Sequence, residues 1–378
     1  MKNEHNLSID RRNFIKNASM GFLGLALASG SAACRERPGR SGKKTGVALV
    51  GLGYYSRDLL GPALLETKET YLAGIVTGTP DKEKIWAEKY NIPGKNIYNY
   101  DNFDDLKNNG DIEIIYIVLP NSMHMEFTIR AAEAGKHVIC EKPMAMNAQE
   151  CRDMIDACNR NNVRLSIGYR MHFEPNTQEI IRMRREEDFG KVLQVTGGAG
   201  FYMPESMYDN WRMKDSMGGG AMMDMGVYPL NAARYITGLE PVSVTAQQFK
   251  TRPEVFTGVD EIASFQLDFP DRSVANLITG FHANFGHIRA TAQKGWFGLE
   301  PFQAYGGIKG MSSNGPINFP QINQQAAQMD EVAVCIRENK PMRVPGEEGL
   351  LDMIVVDGIR ESWANGGKRV MIDRNVRN

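Results

Sequence analysis

The feature that most constrains this chain is a glycine-containing turn that joins a short apolar segment to an amphipathic one. Residues 46–52 read G-V-A-L-V-G-L, which is typical of a buried strand, and leucines recur at helical spacing over 59–65. The turn between them has the pattern Gly51-x-Gly53-x-x-Ser56. The first glycine permits a tight turn, the second lets a phosphate approach the backbone, and the start of the following helix favours the phosphate charge. A strand, this turn and a helix together predict a dinucleotide-binding unit.

Alternating strand and helix patterns continue to about residue 165. Further apolar strands are predicted at 71–77, 112–119 and 137–140, and a helix at 81–90. This alternation predicts an α/β fold over residues 46–165, a doubly wound Rossmann domain with a parallel sheet. Its ligand is expected at the carboxyl ends of the strands.

The pattern changes in the second half of the chain, where strand-like segments follow each other with few helices between them. These segments are 192–197, 242–249, 262–269 and 273–281. They predict an α+β domain over residues 166–378 with a mainly antiparallel, open sheet. Helices are predicted at 230–236, 324–337 and 347–364.

Charge and cysteine usage exclude two classes of function. The chain has 44 basic and 45 acidic side chains, so it lacks the positive excess with which proteins bind nucleic acid. Its five cysteines form no C-x-x-C motif and have no nearby histidine partner. We therefore predict no metal site and no nucleic-acid partner.

The N-terminal segment is typical of an export signal. A twin-arginine run at 10–16 precedes an apolar stretch at 20–28 and small residues at 29–33. The apolar stretch is far shorter than the roughly 20 residues that span a bilayer as a helix. Residues 1–33 are therefore predicted to be a twin-arginine signal for a periplasmic protein, followed by a flexible arm at 34–45. Lipidation of Cys34 is the open alternative to simple cleavage.

The segment after the second strand favours NADP over NAD. Residues 77–82 read T-G-T-P-D-K, so no carboxylate stands at the strand tip where NAD-binding proteins hold the ribose hydroxyls. The Thr77 hydroxyl and the Lys82 ammonium are available for a 2′-phosphate. Asp81 keeps NAD open, and the plainer alternative is that Thr77 and Lys82 only shape a turn and a helix start.

Three segments concentrate residues that can move protons. Glu141-Lys142-Pro143 directly follows a parallel strand, and Gly168-Tyr169-Arg170 begins the second domain. A glycine-rich stretch at 218–220 leads to Asp224 and Tyr228, which share one face if the segment is helical. Pro229 fits only the first turn of a helix, so the helix is expected to start near Tyr228.

These motifs together resemble the Gfo/Idh/MocA oxidoreductases from about residue 46 to the C-terminus. The resemblance is carried by the glycine turn, Pro120-Asn121-Ser122-x-His124, the segment from Ala134 to Pro143, Asp224-x-Gly226-x-Tyr228, Trp211-Arg212 and P-G-E-E-G at 345–349. Most of the family has histidine where this chain has Tyr228. The glucose–fructose oxidoreductases within it are similar to this chain in having tyrosine.

The resemblance implies roles for three residues. Lys142 would lie between the nicotinamide and the sugar, Tyr228 would exchange a proton with the sugar hydroxyl, and Asp224 would orient the sugar or the lysine. A free phenol has a pKa of about 10, and a nearby ammonium favours its ionised form. The plainer alternatives are a solvated strand-end lysine, a helix-capping aspartate and a buried aromatic ring.

The resemblance also implies which residues bind the sugar and which bind the cofactor. The substrate candidates are Tyr169, Arg170, Trp211 and Arg212. The cofactor candidates are Gly51, Gly53, Tyr54, Tyr55, Ser56, Thr77, Lys82, Pro120, Asn121, His124, Glu141 and Lys142. His124 has a structural role as its alternative. The resemblance further assigns substrate binding and oligomerisation to residues 166–378 and implies a homodimer or homotetramer.

The activity implied is hydride transfer between a sugar and a tightly bound NADP. An exported enzyme has no NADP pool to exchange with, which favours a ping-pong cycle that oxidises an aldose such as glucose and reduces a ketose such as fructose. The alternatives are an NAD(P)-recycling glycoside hydrolase, a simple sugar or polyol dehydrogenase, and a sugar-binding protein with an inactive nucleotide domain.

Overall fold

A computed structural model describes residues 44–373 of the chain. The predicted export signal, Cys34 and most of the predicted arm lie outside the described residues. Thr45, predicted to end the arm, is already the first residue of strand β1. No helix between residues 44 and 373 has both the length and the apolar character needed to cross a membrane.

The first sheet has six strands, all parallel, in the order β3-β2-β1-β4-β5-β6. The strands are β1 (Thr45–Val50), β2 (Thr70–Val76), β3 (Ile97–Tyr98), β4 (Ile114–Ile117), β5 (His137–Cys140) and β6 (Leu165–Ile167). Their helices are α1 (Gly61–Glu66), which continues a π-helical turn at Ser56–Leu60, α2 (Pro80–Tyr90), α3 (His124–Glu133) and α4 (Ala148–Arg160). The prediction of a doubly wound parallel sheet is confirmed.

The second sheet has nine strands in the order β14-β13-β12-β11-β7-β10-β9-β8-β15. They are β7 (Val192–Gly200), β8 (Ser243–Phe249), β9 (Ile262–Asp268), β10 (Val274–Gly280), β11 (Phe285–Ala292), β12 (Gly295–Leu299), β13 (Gly310–Ser312), β14 (Gly315–Ile317) and β15 (Val370–Met371). Neighbouring strands are antiparallel except β7 and β10. The predicted, mainly antiparallel sheet is confirmed, with this one parallel pair.

Four further α-helices lie between residue 168 and residue 373. They are α5 (Pro175–Arg185), α6 (Val227–Thr237), α7 (Gln324–Arg337) and α8 (Gly346–Ala364). A π-helical turn at Met222–Gly226 leads into α6, and Pro229 lies in the first turn of that helix, where proline is tolerated.

Helix α7 packs on the first sheet although it comes late in the chain. Met329 and Val332 share an apolar core with Val47 and Leu49 of β1. The Asp330 carboxylate accepts hydrogen bonds from the backbone N–H groups of residues 68–70, at the start of β2. Segments on either side of the predicted boundary at 165/166 are therefore held together. The boundary itself stays a prediction.

Candidate active site

A cleft of about 940 Å³ opens at the carboxyl ends of β1, β4 and β5. It brings together fourteen of the residues predicted from sequence, and these are Gly51, Gly53, Tyr54, Tyr55, Lys82, Pro120, Asn121, Glu141, Lys142, Arg170, Trp211, Arg212, Asp224 and Tyr228. The cleft is thus where a doubly wound sheet is expected to hold its ligand.

The glycine turn forms one end of the cleft and fits a dinucleotide. Gly51 has a φ of 88°, and a Cβ there would lie 2.5 Å from the Val118 carbonyl oxygen. A Cβ on Gly53 would meet no atom within 4 Å, so the backbone at this position faces open space. Buried Ser56 lies outside the cleft, and its hydroxyl donates to the Gly51 carbonyl at 2.6 Å. Ser56 therefore shapes the turn.

Of the two residues proposed for the 2′-phosphate, only Lys82 lines the cleft. Thr77 is 2% exposed, and its hydroxyl accepts a hydrogen bond from the Thr79 backbone at 3.3 Å. Its side chain stabilises the turn after β2. Tyr100, which sequence analysis missed, lines the same part of the cleft, and its ring packs against Gly78.

Lys142, Asp224 and Tyr228 lie together in the middle of the cleft. The Lys142 ammonium donates to the Asp224 backbone carbonyl at 2.9 Å and lies 3.8 Å from its carboxylate. The same nitrogen is 4.4 Å from the centroid of the Tyr228 ring. Lys142 follows the end of strand β5, Asp224 lies in the π-helical turn before α6, and Tyr228 lies in the first turn of α6.

The Asp224 carboxylate is held ionised by two cations. Burial would raise its pKa, but the charges of Arg212 and Lys142 outweigh burial and keep the pKa below its ordinary value. Arg212 donates to the Asp224 carboxylate at 2.7 Å, and its guanidinium lies 4.7 Å from the Trp211 ring centroid. Asp224 therefore holds one cation with each of its carboxylate oxygens.

The glycine run at 218–220 lets this segment approach the first sheet. The Asn121 side chain donates to the Gly218 carbonyl at 2.7 Å, and a Cβ on Gly218 would lie 2.6 Å from that of Asn121. Gly220 has a φ of 104° and lies against the Asp260 carboxylate, which accepts from the Met222 N–H at 2.7 Å. The run thus places the turn that carries Asp224.

The Glu141 carboxylate takes part in a buried hydrogen-bond network beside Lys142. Its carboxylate accepts from the Tyr116 hydroxyl at 2.7 Å, and a Cβ on Gly168 would lie 2.5 Å from that carboxylate. Burial raises the pKa of Glu141. Burial also raises the pKa of Tyr55, whose hydroxyl is hydrogen-bonded to Tyr116.

Two other predicted residues do not line the cleft. His124 is fully buried, and its two ring nitrogens bond to the carbonyls of Leu119 and Pro143 at 2.9 Å each. The ring therefore joins the loops after β4 and β5 and does not line the cleft. Tyr169 is 1% exposed and hydrogen-bonded to the buried Asp352, while its neighbour Arg170 points to the cleft.

Several cleft residues escaped sequence analysis because no local motif marks them. Gln303, Ala304 and Tyr305 come from the loop between β12 and β13, while Phe201, Met207 and Asn210 come from the segment after β7. The only signal near the second group was the Trp211-Arg212 pair. Within residues 44–373 no cluster of three or more His, Cys, Asp or Glu side chains has an arrangement that could hold a metal ion.

Comparison with known proteins gives two matching family models that together cover most of the described chain. One, described as an oxidoreductase family with an NAD-binding Rossmann fold, matches residues 45–169. The other, described as the GFO/IDH/MocA C-terminal domain, matches residues 177–297. The predicted nicotinamide-nucleotide fold is confirmed.

Similar individual proteins include a solved structure and two curated enzymes. The crystal structure of aldose-aldose oxidoreductase from Caulobacter crescentus has a TM-score of 0.84 and 38% identity, covering 87% of this chain and 100% of that one. D-xylose 1-dehydrogenase [NADP(+)] from Haloarcula marismortui is 28% identical over 83% of this chain and 90% of its own length. A second NADP(+) D-xylose 1-dehydrogenase, from Haloferax volcanii, is 26% identical over 82% and 94%.

Proposed function

Because the chain belongs to the Gfo/Idh/MocA family of oxidoreductases, we propose that it transfers hydride from an aldose to a second sugar through one tightly held NADP. The observation that carries the proposal is the grouping of Lys142, Asp224 and Tyr228 in the cleft that begins at the glycine turn. An ammonium, a carboxylate and a phenol together can bind a sugar hydroxyl and move its proton.

NADP is the cofactor that the cleft and the relatives favour. The Gly51 and Gly53 backbone offers the pyrophosphate site, and Lys82 offers a cation for a 2′-phosphate. Two relatives are named as NADP(+) enzymes. The chemistry that NADP supplies when bound is reversible hydride transfer at its nicotinamide ring.

Three side chains supply proton transfer, charge stabilisation and positioning in the proposed reaction. Tyr228, acting as phenolate, accepts the sugar hydroxyl proton as the carbonyl forms, and the resulting phenol returns that proton when the second sugar is reduced. Lys142 donates a hydrogen bond to the reacting oxygen and stabilises negative charge on that oxygen or on the phenolate. Asp224 keeps Lys142 and Arg212 in place through its two carboxylate oxygens.

The sugar substrates follow from the same site and from the relatives' names. Trp211 and Tyr305 supply aromatic faces, and Asn210 and Arg212 supply hydrogen-bonding groups, a combination that suits a polyhydroxylated ring. The names aldose-aldose oxidoreductase and D-xylose dehydrogenase favour an aldose as the sugar that is oxidised. The second sugar is a ketose such as fructose or another aldose.

The test uses the purified protein without added nucleotide. Absorbance at about 340 nm reports reduced nicotinamide. Glucose or xylose should raise this absorbance by one equivalent per bound cofactor, and fructose or a second aldose should then lower it. A protein that holds NADP but shows no absorbance change with any sugar pair would refute the proposal.

The second candidate is an aldose dehydrogenase that exchanges NADP freely, which the two xylose dehydrogenases favour. It would reduce added NADP continuously with one sugar, and would lose its cofactor during purification. Release of nitrophenol from an aryl glycoside would instead support a recycling glycoside hydrolase of this fold.

Export belongs to the same proposal, because retention of the cofactor matters most where NADP cannot be replenished. It rests on the twin-arginine run at 10–16. Replacing both Arg11 and Arg12 by lysine should leave the protein in the cytoplasmic fraction of expressing cells. Periplasmic recovery of that variant would contradict twin-arginine export.

We also propose that the protein forms a homodimer or homotetramer. Sedimentation of the purified protein measures this oligomeric state.

A further inference from the structure

The rings of Tyr55 and Tyr305, which come from two different parts of the fold, contact each other in the cleft. Tyr55 lies in the glycine turn after β1, whereas Tyr305 lies in the loop between β12 and β13. Their ring centroids are 5.8 Å apart with a 37° interplanar angle, and both residues line the cleft. This contact, called here the tyrosine bridge, joins two elements that are about 250 residues apart in sequence.

The loop that carries Tyr305 is fastened on both sides of the tyrosine. Phe302 and Ile308 are 1% and 2% exposed, so they anchor the loop in the core. The Gly307 N–H donates to the Gln321 side chain at 2.9 Å. The bridge is therefore built into the fold, because Tyr305 is held by its loop as well as by its ring contacts.

Arg170 holds the loop in place through hydrogen bonds and also contacts the Tyr305 ring. The guanidinium is almost fully buried and donates to the carbonyls of Gln303 and Ala304 and to the Gln324 side chain. It also lies 4.4 Å from the Tyr305 ring centroid, close enough for a cation–π contact. Moving Tyr305 away from Tyr55 thus requires loss of several contacts at once.

A dinucleotide bound in this cleft is expected to lie beside the bridge. Its pyrophosphate is expected at Gly51 and Gly53 and its reactive ring near Lys142, and Tyr55 belongs to the glycine turn. We propose that the tyrosine bridge retains the bound cofactor, so that Tyr305 and Arg170 set the rate at which NADP leaves. The inference rests on the proposed function, for which retention is essential, and it requires no contribution from the residues before Lys44.

The rate of cofactor exchange tests this inference directly. Purified protein loaded with NADPH is mixed with excess NADP, and the loss of fluorescence from bound NADPH is followed. Tyr305→Ala should exchange about tenfold faster than the wild type, since ring contacts of this kind contribute on the order of one power of ten in an equilibrium constant. Tyr305→Phe keeps both ring contacts and should exchange at the wild-type rate.

A second tyrosine provides the matched control. Tyr202 is exposed, its ring lies 4.7 Å from the Arg252 guanidinium, and it does not line the cleft. Tyr202→Ala should leave exchange unchanged. Equal rates in Tyr305→Ala and the wild type, or equal acceleration by Tyr202→Ala, would overturn the inference.

Two precautions keep the outcome decisive. Tyr305→Leu serves in place of the alanine variant if that variant does not fold, and it should also speed exchange because it lacks the ring. The assay contains no sugar, so a failure of sugar turnover counts against the proposed function alone. Unchanged exchange rates count against the bridge alone.

Discussion

The Lys142 ammonium lies 4.4 Å from the centroid of the Tyr228 ring while it donates a 2.9 Å hydrogen bond to the Asp224 backbone carbonyl. The lysine comes from the end of the parallel strand β5, and the tyrosine from the first turn of α6. The contact therefore joins the first sheet to the segment around α6 that lines the same cleft. This relationship makes the phenol testable as the proton-transfer group.

Removing the Tyr228 hydroxyl should lower turnover without loss of cofactor. We expect Tyr228→Phe to reduce kcat by about a hundredfold, the usual contribution of one proton-transfer group, with NADP content unchanged. The measurement is the rate of the absorbance cycle with two sugars. Tyr235 on the same helix offers a matched control, since its buried hydroxyl has no hydrogen-bond partner among the described residues. Tyr235→Phe should keep wild-type turnover, and equal losses in both variants would remove Tyr228 from its role.

Neutralising Asp224 should destabilise the fold, because it leaves two partly buried cations without their carboxylate partner. The Asp224 side chain is 9% exposed and contacts both Arg212 and Lys142. We expect Asp224→Asn to lower the free energy of unfolding by about 3 kcal/mol, measured by urea denaturation. The double variant Asp224→Asn/Arg212→Met removes one unpaired cation and should recover part of this loss. Strictly additive losses would show that the pair is not coupled.

Cofactor preference should depend on Lys82, which lines the cleft beyond β2. Lys82→Ala is expected to weaken NADP binding about tenfold and to leave NAD binding nearly unchanged, because only NADP carries the 2′-phosphate. Titration of the cofactor-free protein with each nucleotide measures both constants. Lys84 on the same helix is exposed and outside the cleft, so Lys84→Ala is the control. An equal loss for NAD and NADP in Lys82→Ala would contradict the assignment.

The parts of this site that could be predicted are those that local sequence determines. The glycine turn and the position of Lys142 could be predicted because strands β1 and β5 end where their runs of apolar residues end. The pairing of Asp224 with Tyr228 follows from four-residue spacing, although a π-helical turn and not a regular helix delivers it. In each case the residues that matter are neighbours in the chain.

The parts that could not be predicted depend on contacts between distant segments. Arg170 holds the loop that brings Tyr305 to the cleft, and no local sequence pattern links these two residues. Tyr169 and Arg170 are adjacent, yet only the arginine faces the cleft, because the tyrosine bonds to Asp352 in α8. His124 belongs to a motif beside the cleft, but two backbone carbonyls determine where its ring lies.

Asp260 should make stability depend on pH in a defined window. Burial raises its pKa to about 6, and its carboxylate accepts from the Met222 N–H at the start of the turn that carries Asp224. An unfolded aspartate has a pKa of about 3.9, so between about pH 4 and pH 6 the folded state binds more protons than the unfolded state. The contribution of Asp260 to stability therefore falls as pH rises through this window and is constant above it.

Urea unfolding of the wild type and of Asp260→Asn measures this contribution. The difference between their free energies of unfolding should shrink by at most about 3 kcal/mol over these two pH units. Asp271 is the control, because hydrogen bonds to Ser273 and the Lys191 charge outweigh burial and lower its pKa, so its contribution changes only below about pH 4. A difference between wild type and Asp260→Asn that stays constant from about pH 4 to 6 would show that Asp260 does not titrate in this window.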